Sequence, residues 1–362
     1  LDEESMMKIR IVLADTDEKY IDHFIRAFKI YYFNEVDIVT FSDSTALKKY
    51  ISSRAYDILL SVASLLPKEA EEKSMILTSE MGIKEMNGRP AICKYQKVEN
   101  LYKGILDTIA EQKSGITYSY ETSKESPVIA FTSAAGGVGK TTAALVYTRQ
   151  LVKKGFQVMY LSLESFSNID YFLNAEGSSN FSNVLFAVKC GKGNLQMKIE
   201  SSLKQTYGGV YFFSKPMNPN EIDELDQNEW NEFLDAVRAM GKFHCIVIDL
   251  PCANEDTAKK IMPLSDRVLF ITDGSDTTTE KTQTLMTCIS KYDEVNGSDL
   301  STKVSVIQNK CEGPRREIGL PILAELPYVK ETRMEKLIMD TLVNAENASL
   351  LSIYQPGGQE YV

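Results

Sequence analysis

The sequence predicts an α/β protein built from two doubly wound parallel-sheet domains, and three observations carry that prediction. Short apolar runs alternate with helical stretches along the chain. In the second half these runs are nearly continuous in apolar residues, as strands covered on both faces are. Between the halves, KSGITYSYETSKES (113–126) is polar, lacks apolar periodicity and ends at Pro127. Residues 6–112 thus read as one domain, 113–126 as a linker and 127–362 as a second domain, with no internal repeat to make the two alike.

The first domain offers IRIVLA (9–14), VDIVTF (36–41), YDILLS (56–61), SMILTS (74–79) and AICKY (91–95) as strands. After the first of these, Ile21, Phe24, Ile25 and Phe28 recur at i, i+3, i+4 and i+7, one face of a helix. The second domain offers VIAFTSA (128–134), QVMYLSL (157–163), VYFFS (210–214), CIVIDL (245–250), RVLFIT (267–272) and VSVIQN (304–309) as buried strands. Between them, 228–240 predicts a helix with Trp230, Phe233, Leu234 and Val237 as its apolar stripe, which makes the only tryptophan a core residue.

Composition narrows the function. A chain of 362 residues, 43% hydrophobic and 25% charged, has the make-up of a folded globular protein. No run approaches a membrane span and the start, LDEESMMKIR, is acidic, which predicts a cytoplasmic protein with no integral membrane segment. Six scattered cysteines without a C-x-x-C pair suit a reducing compartment, and His23 and His244 alone cannot build a histidine-rich metal site. A formal charge of −10 argues against a sequence-independent nucleic-acid coat, so no direct nucleic-acid contact is expected.

The chemistry concentrates at TSAAGGVGKTT, 132–142. Glycines at Gly136, Gly137 and Gly139, with Val138 among them, let a backbone turn with its N–H groups inward, and the following helix adds its positive dipole end. An anion is the natural guest. Lys140 would reach the β and γ phosphates of a nucleotide, Thr141 would complete a Mg²⁺ shell, and Thr142 would extend the cradle. The amphipathic helix after it (Ala144, Leu145, Thr148, Leu151) closes at Gly155. Such a site needs a carboxylate at a neighbouring strand end, and CIVIDLP supplies Asp249 as a second metal-holding group, the alternative being a turn cap.

Over about 127–345 this order of strand, GGVGKTT, strand ending near an acid, CIVIDLP, and a later strand ending in Asn before a Leu-Pro-Tyr turn resembles the ParA/MinD branch of P-loop ATPases. The resemblance implies that Asn309 reads adenine, that Leu326, Pro327 and Tyr328 form the base-side turn, and that Glu164 orients the attacking water. It leaves only Glu164 of the family's Asp-x-Asp, here Ser162-Leu163-Glu164. A capped strand end for Asn309 and a helix-start acid for Glu164 are the plainer alternatives. The family's lysine before Gly-Gly, which crosses an ATP-sandwiched dimer, is replaced by Ala135.

The first domain is similar to a response-regulator receiver, with Asp15, Thr78 and Lys94 at the ends of its first, fourth and fifth strands. The phosphoacceptor position holds Val62, beside Ser61, and Thr16 replaces the second metal acid. A receiver-like (flavodoxin-like) domain before a ParA/MinD-like domain with an eroded loop resembles the TadZ/CpaE proteins, which place and assemble Tad (tight adherence) pilus machinery at bacterial cell poles. That resemblance implies a homodimer that binds ATP and Mg²⁺, hydrolyses slowly or not at all, meets other Tad pilus proteins and is recruited to the pole or inner membrane face. Two other functions stay open. A ParA-like DNA partition ATPase would use Arg315, Arg316, Lys330 and Arg333 as a patch; a MinD-like septum-positioning ATPase would want a basic amphipathic tail, whereas LLSIYQPGGQEYV has no cation.

Overall fold

The computed structural model describes residues 8–70, 73–111, 126–173, 179–191, 193–206, 208–312, 322–331, 336 and 338. In chain order its elements are β1 (Ile9–Ala14), α1 (Glu18–Tyr31), β2 (Val36–Phe41), α2 (Ser44–Ser53), β3 (Ile58–Val62), β4 (Ser74–Thr78), β5 (Glu85–Met86), β6 (Arg89–Cys93) and α3 (Val98–Glu111). There follow β7 (Val128–Thr132), α4 (Lys140–Lys153), β8 (Val158–Ser162), α5 (Ile169–Phe172), α6 (Ser182–Cys190), α7 (Leu195–Ser202), β9 (Lys204–Gln205), β10 (Val210–Phe212) and α8 (Gln227–Ala239). The last are β11 (Cys245–Asp249), α9 (Asp256–Ile261), β12 (Arg267–Thr272), α10 (Asp276–Asn296), α11 (Leu300–Lys303), β13 (Val304–Cys311) and β14 (Ile322–Pro327). The described residues fall into two compact units, one within Leu1–Glu121 and Phe186–Ser202, the other within Thr122–Leu185 and Leu203–Val362.

In the first unit the strand order is β2-β1-β3-β4-β6-β5, parallel throughout except for β5 against β6. The Asp17 carboxylate accepts from the backbone N–H of Lys19 and Tyr20 and so starts α1. Its Ile21, Phe24 and Phe28 then join Leu101, Ile105 and Ile109 of α3 in one core, with Ile25 at its margin. Helices do not follow every strand. Between β4 and β6 the chain makes a hairpin, Glu85 opposite Pro90 and Met86 opposite Arg89. Asn87 and Gly88 turn it with φ of 54° and 73°, the two left-handed residues of a type I′ turn. The stretch 79–88 has too few apolar residues at helical spacing to cover a sheet face.

Residues 186–202 belong to this unit, although the sequence alone groups them with the second domain. Lys198 Nζ lies 2.7 Å from Asp107 Oδ1 and 3.0 Å from Glu111 Oε1, which ties α7 to α3, and Met197 enters the core beside Ile105. A helix of eight residues carries too little pattern to say which sheet it will serve.

In the second unit the order is β14-β13-β12-β7-β11-β8-β10-β9, parallel except for β9 against β10. Every residue of β7 and β11 is buried, as the continuous apolar runs predict. Helix α8 opens with a reciprocal cap between Asp226 and Glu229 and buries Trp230, Phe233, Leu234 and Val237, so the tryptophan is core. Asp249 stands opposite Phe131 of β7 on one side and Ser162 of β8 on the other. The carboxyl ends of β7, β8 and β11 therefore open at one edge, beside the point where the strand order reverses, and ligands of such sheets bind there. Among the described residues no helix is long and apolar enough to cross a membrane. Residues 113–125 of the expected linker, Arg315, Arg316 and Arg333 of the basic patch, and the tail 350–362 lie outside the described residues.

Candidate functional site

The chain leaves β7 and turns through 136–139 into α4. Gly137 and Gly139 have φ of 77° and 96°, left-handed values that strain any residue with a β-carbon. At Gly139 an added β-carbon would also collide with the amide of Asn309. Helices α1, α2, α8 and α10 start on the side chains of Asp17, Asp43, Asp226 and Ser275, whereas α4 starts on Gly139 with no side-chain cap. No side chain caps this end, and the helix dipole makes an anion favoured there.

This end of α4 faces a cleft of about 440 Å³, lined by Gly136, Gly137, Gly139, Lys140, Thr141 and Thr142 and, across from them, by Tyr160, Glu164 and Asp249. Lys140 Nζ lies 3.1 Å from Glu164 Oε1. Burial works against the ammonium, but the charge and hydrogen bond of Glu164 outweigh it and raise the Lys140 pKa.

Asp249 and Tyr160 are both fully buried, and the Tyr160 hydroxyl donates to Asp249 Oδ2 at 3.0 Å. Asp249 Oδ1 is buried with no hydrogen-bond partner. Burial pushes the carboxyl pKa up to about 7, with Glu164 adding to the rise and Thr141, Tyr160 and Lys140 opposing it. A buried carboxylate with one oxygen that no donor meets at full hydrogen-bond geometry, and with the Thr141 hydroxyl close by, fits the oxygen-rich, partly hydrated shell of Mg²⁺. The uncapped helix and glycine turn fit phosphate. The residues present thus suit both groups.

Most of the predicted residues meet around this cleft; Val138, Asn309 and the turn of Leu326, Pro327 and Tyr328 do not line it. Val138 is buried in the core. Asn309 donates its amide to Val138 O at 2.8 Å, so it braces the loop from behind. Pro327 ends β14 opposite Cys311. Glu164 does line the cleft, but its carboxylate rests on Lys140 rather than on open space. Sequence reasoning missed Tyr160, whose signal was a hydroxyl inside an aliphatic strand that needs a partner when buried. It also missed Lys310, whose ammonium donates to Gly137 O at 2.7 Å.

The first unit carries its own polar group at a strand end. Lys94 Nζ pairs with Asp15 Oδ2 at 2.9 Å, the side chains 9% and 1% exposed. The ammonium sits 4.8 Å from the centre of the Tyr20 ring and 5.3 Å from that of Tyr95. Burial opposes its charge, yet Asp15 outweighs this and the Lys94 pKa is raised. Thr78 Oγ1 accepts from the N–H of Glu80, and Ser61 donates to the carbonyl of Val62.

Residues 7–110 match the family model of a TadZ-like receiver domain, and residues 126–302 match that of an AAA domain. The solved structure of McdA from Cyanothece, a complex with ATP, is 12% identical over 64% of this chain and 98% of its own, with a TM-score of 0.50, a likeness of fold. A ParA family ATPase from Chlorobium tepidum is 16% identical over 63% of this chain and 91% of its own, with a TM-score of 0.48. The MinC:MinD cell division complex of Aquifex aeolicus gives 17% over 66% and 100%, with a TM-score of 0.47. No curated protein sequence matches the chain.

Proposed function

We propose, from the premise that this chain joins a TadZ-like receiver domain to an AAA domain of the ParA/MinD type, that it is an ATP-binding homodimeric scaffold. Its role is to place and assemble Tad pilus secretion machinery, with slow ATP turnover. The observation that supports this is a left-handed glycine turn leading into Lys140 and Thr141 at the cleft, with no lysine at its outer position. Ala135 stands there, half-buried against the core, with its carbonyl accepting from the Ser133 hydroxyl at 2.6 Å.

Binding and hydrolysis draw on different parts of such a site. The loop N–H groups and Lys140 hold ground-state phosphates, while Thr141 and Asp249 hold Mg²⁺, which when bound neutralises phosphate charge. For Lys140 to meet a phosphate, Glu164 must yield it, and the released carboxylate is then free to orient a water. A cation arriving from a partner chiefly stabilises charge that shifts in the transition state. Its contribution to phosphoryl transfer is roughly 10³ to 10⁵ in rate. Ala135 removes only that contribution, so ATP serves as a lasting signal that closes the dimer, and the receiver-like domain is left to recruit other Tad proteins at the pole or inner membrane face.

Mg·ATP at ~100 times its Kd should add roughly 2.7 kcal/mol to stability in the wild type and nothing in Lys140→Ala. Turnover should be slow and should rise in Ala135→Lys only under conditions that permit dimers. Rapid wild-type hydrolysis would favour the partition ATPase instead.

A further inference from the structure

We propose that Lys310, together with Asn309, is a positioning residue for the phosphate cradle. The two side chains clasp successive peptide carbonyls from behind the loop and so aim its N–H groups at the ligand. The proposal rests on the reading that the loop binds phosphate, and its test keeps the two apart.

The geometry is specific. Asn309 Nδ2 donates to Val138 O at 2.8 Å and Lys310 Nζ donates to Gly137 O at 2.7 Å, so neighbouring residues at the end of β13 hold neighbouring carbonyls of the loop. All the peptide bonds here are trans. In a trans peptide the C=O and the N–H of the next residue point in opposite directions. Fixing the carbonyls of Gly137 and Val138 toward β13 therefore fixes the N–H groups of Val138 and Gly139 away from it. The left-handed φ of Gly137 and Gly139, 77° and 96°, permits two consecutive peptides to be held this way.

Lys310 also has an unusual backbone, where the pairing of β13 with β14 shifts register. Its φ is 58°, in the left-handed region where a β-carbon is unfavourable, and such strain persists where the surroundings fix it. The side chain is exposed, so burial does not explain its reach. A cation on the outward carbonyl also polarises that peptide, which makes the N–H on the other side a stronger donor. The loop thus gains positive character from within the chain without Lys310 touching the phosphates, in a protein where Ala135 has replaced the outer lysine.

The experiment compares Lys310→Met with Lys310→Arg in the full chain. Backbone order parameters of Val138 and Gly139 are measured without ligand, and Kd values for Mg·ATP and Mg·ADP by calorimetry. The expected result is a fall in both order parameters from about 0.85 toward 0.6 in Lys310→Met. Kd should rise about tenfold for both nucleotides, the ligand-free melting temperature should hold, and Lys310→Arg should recover order and affinity. Unchanged order parameters in Lys310→Met, or an Arg variant no better than Met, would overturn the clasp. Loss of order in the Met variant of a protein that takes up no Mg·ATP supports the clasp and counts against the nucleotide reading alone.

Discussion

Each unit holds a lysine–carboxylate pair at the carboxyl edge of its parallel sheet, Lys94–Asp15 at 2.9 Å in one and Lys140–Glu164 at 3.1 Å in the other. By distance the two are alike. They differ in what surrounds the acid: the Asp15 side chain is 1% exposed, whereas that of Glu164 is 35% exposed and faces a cleft. The Lys94 ammonium is walled by Tyr20 and Tyr95, and Val62 stands where a phosphoacceptor would be. Lys140 opens α4 on a glycine turn with no side-chain cap. An ion pair closed in by rings braces a fold, while one that opens on a cleft holds a lysine until an anion replaces the acid.

The largest effect should come from the turn itself. Gly139→Ala puts a β-carbon into the Asn309 amide at a φ of 96°. The backbone term alone costs roughly 1–2 kcal/mol, and the displaced amide releases Val138 O. The expected outcome is loss of Mg·ATP binding with a lowered melting temperature. Gly136→Ala meets nothing within 4 Å and has no left-handed φ to violate, so it should fold like the wild type. Equal behaviour of the two alanine variants would remove the turn geometry from the argument.

The next effect separates the two pairs directly. Lys94→Met leaves Asp15 charged and buried, which should cost about 3–5 kcal/mol in urea denaturation, and adding Asp15→Asn should recover most of it. Lys140→Met leaves Glu164 in contact with solvent and should cost far less in the ligand-free protein while abolishing nucleotide binding. If both methionine variants lost equal stability, the distinction between brace and placeholder would fail.

Receiver chemistry itself gives a smaller but cleaner expectation. With Val62 at the acceptor position and Lys94 committed to Asp15, small-molecule phosphodonors should add no labile phosphate to residues 6–112 by intact mass. A detected phosphate would show that the closed pair opens.

The fold was legible because alternating and continuous apolar runs are local signals. The lining of the cleft was legible because a glycine loop is built from consecutive residues, and Asp249 ends its strand at a fixed place. What could not be read depended on contacts distant in sequence. Asn309 and Lys310 are 171 and 173 residues from the carbonyls they hold, and nothing in VIQNK names Val138 or Gly137. Glu164 was foreseen at the cleft but not on Lys140, since a sequence does not say which charge a free side chain will choose. The hairpin at Asn87-Gly88 went unread although its dipeptide favours such a turn, and α7 went unread because Lys198 finds Asp107 only in three dimensions.

The smallest expected effect is one of pH, and it also distinguishes the units. Burial raises the Asp249 pKa from its ordinary 3.8 to about 7, so between these values the folded chain keeps a proton that the unfolded chain has lost. Stability rises with pH where the unfolded state binds more protons; here the folded state binds more, so the contribution of Asp249 falls as pH climbs from about 4 to about 7 and then levels. Mg²⁺ requires the carboxylate, so affinity for Mg·ATP should move the other way, rising by up to roughly tenfold per unit as pH approaches 7 from below. Asp249→Asn should flatten both curves. Lys94 behaves differently: its pKa is raised above the ordinary 10.5, so the ammonium keeps its charge through the neutral range and loses it only in strong alkali. Calorimetric titrations between pH 5.5 and 8.5 should therefore register Asp249 and leave Lys94 silent. A profile for Mg·ATP affinity that is flat in the wild type and unchanged in Asp249→Asn would mean that the buried carboxylate with its unpartnered oxygen is not where the metal is held.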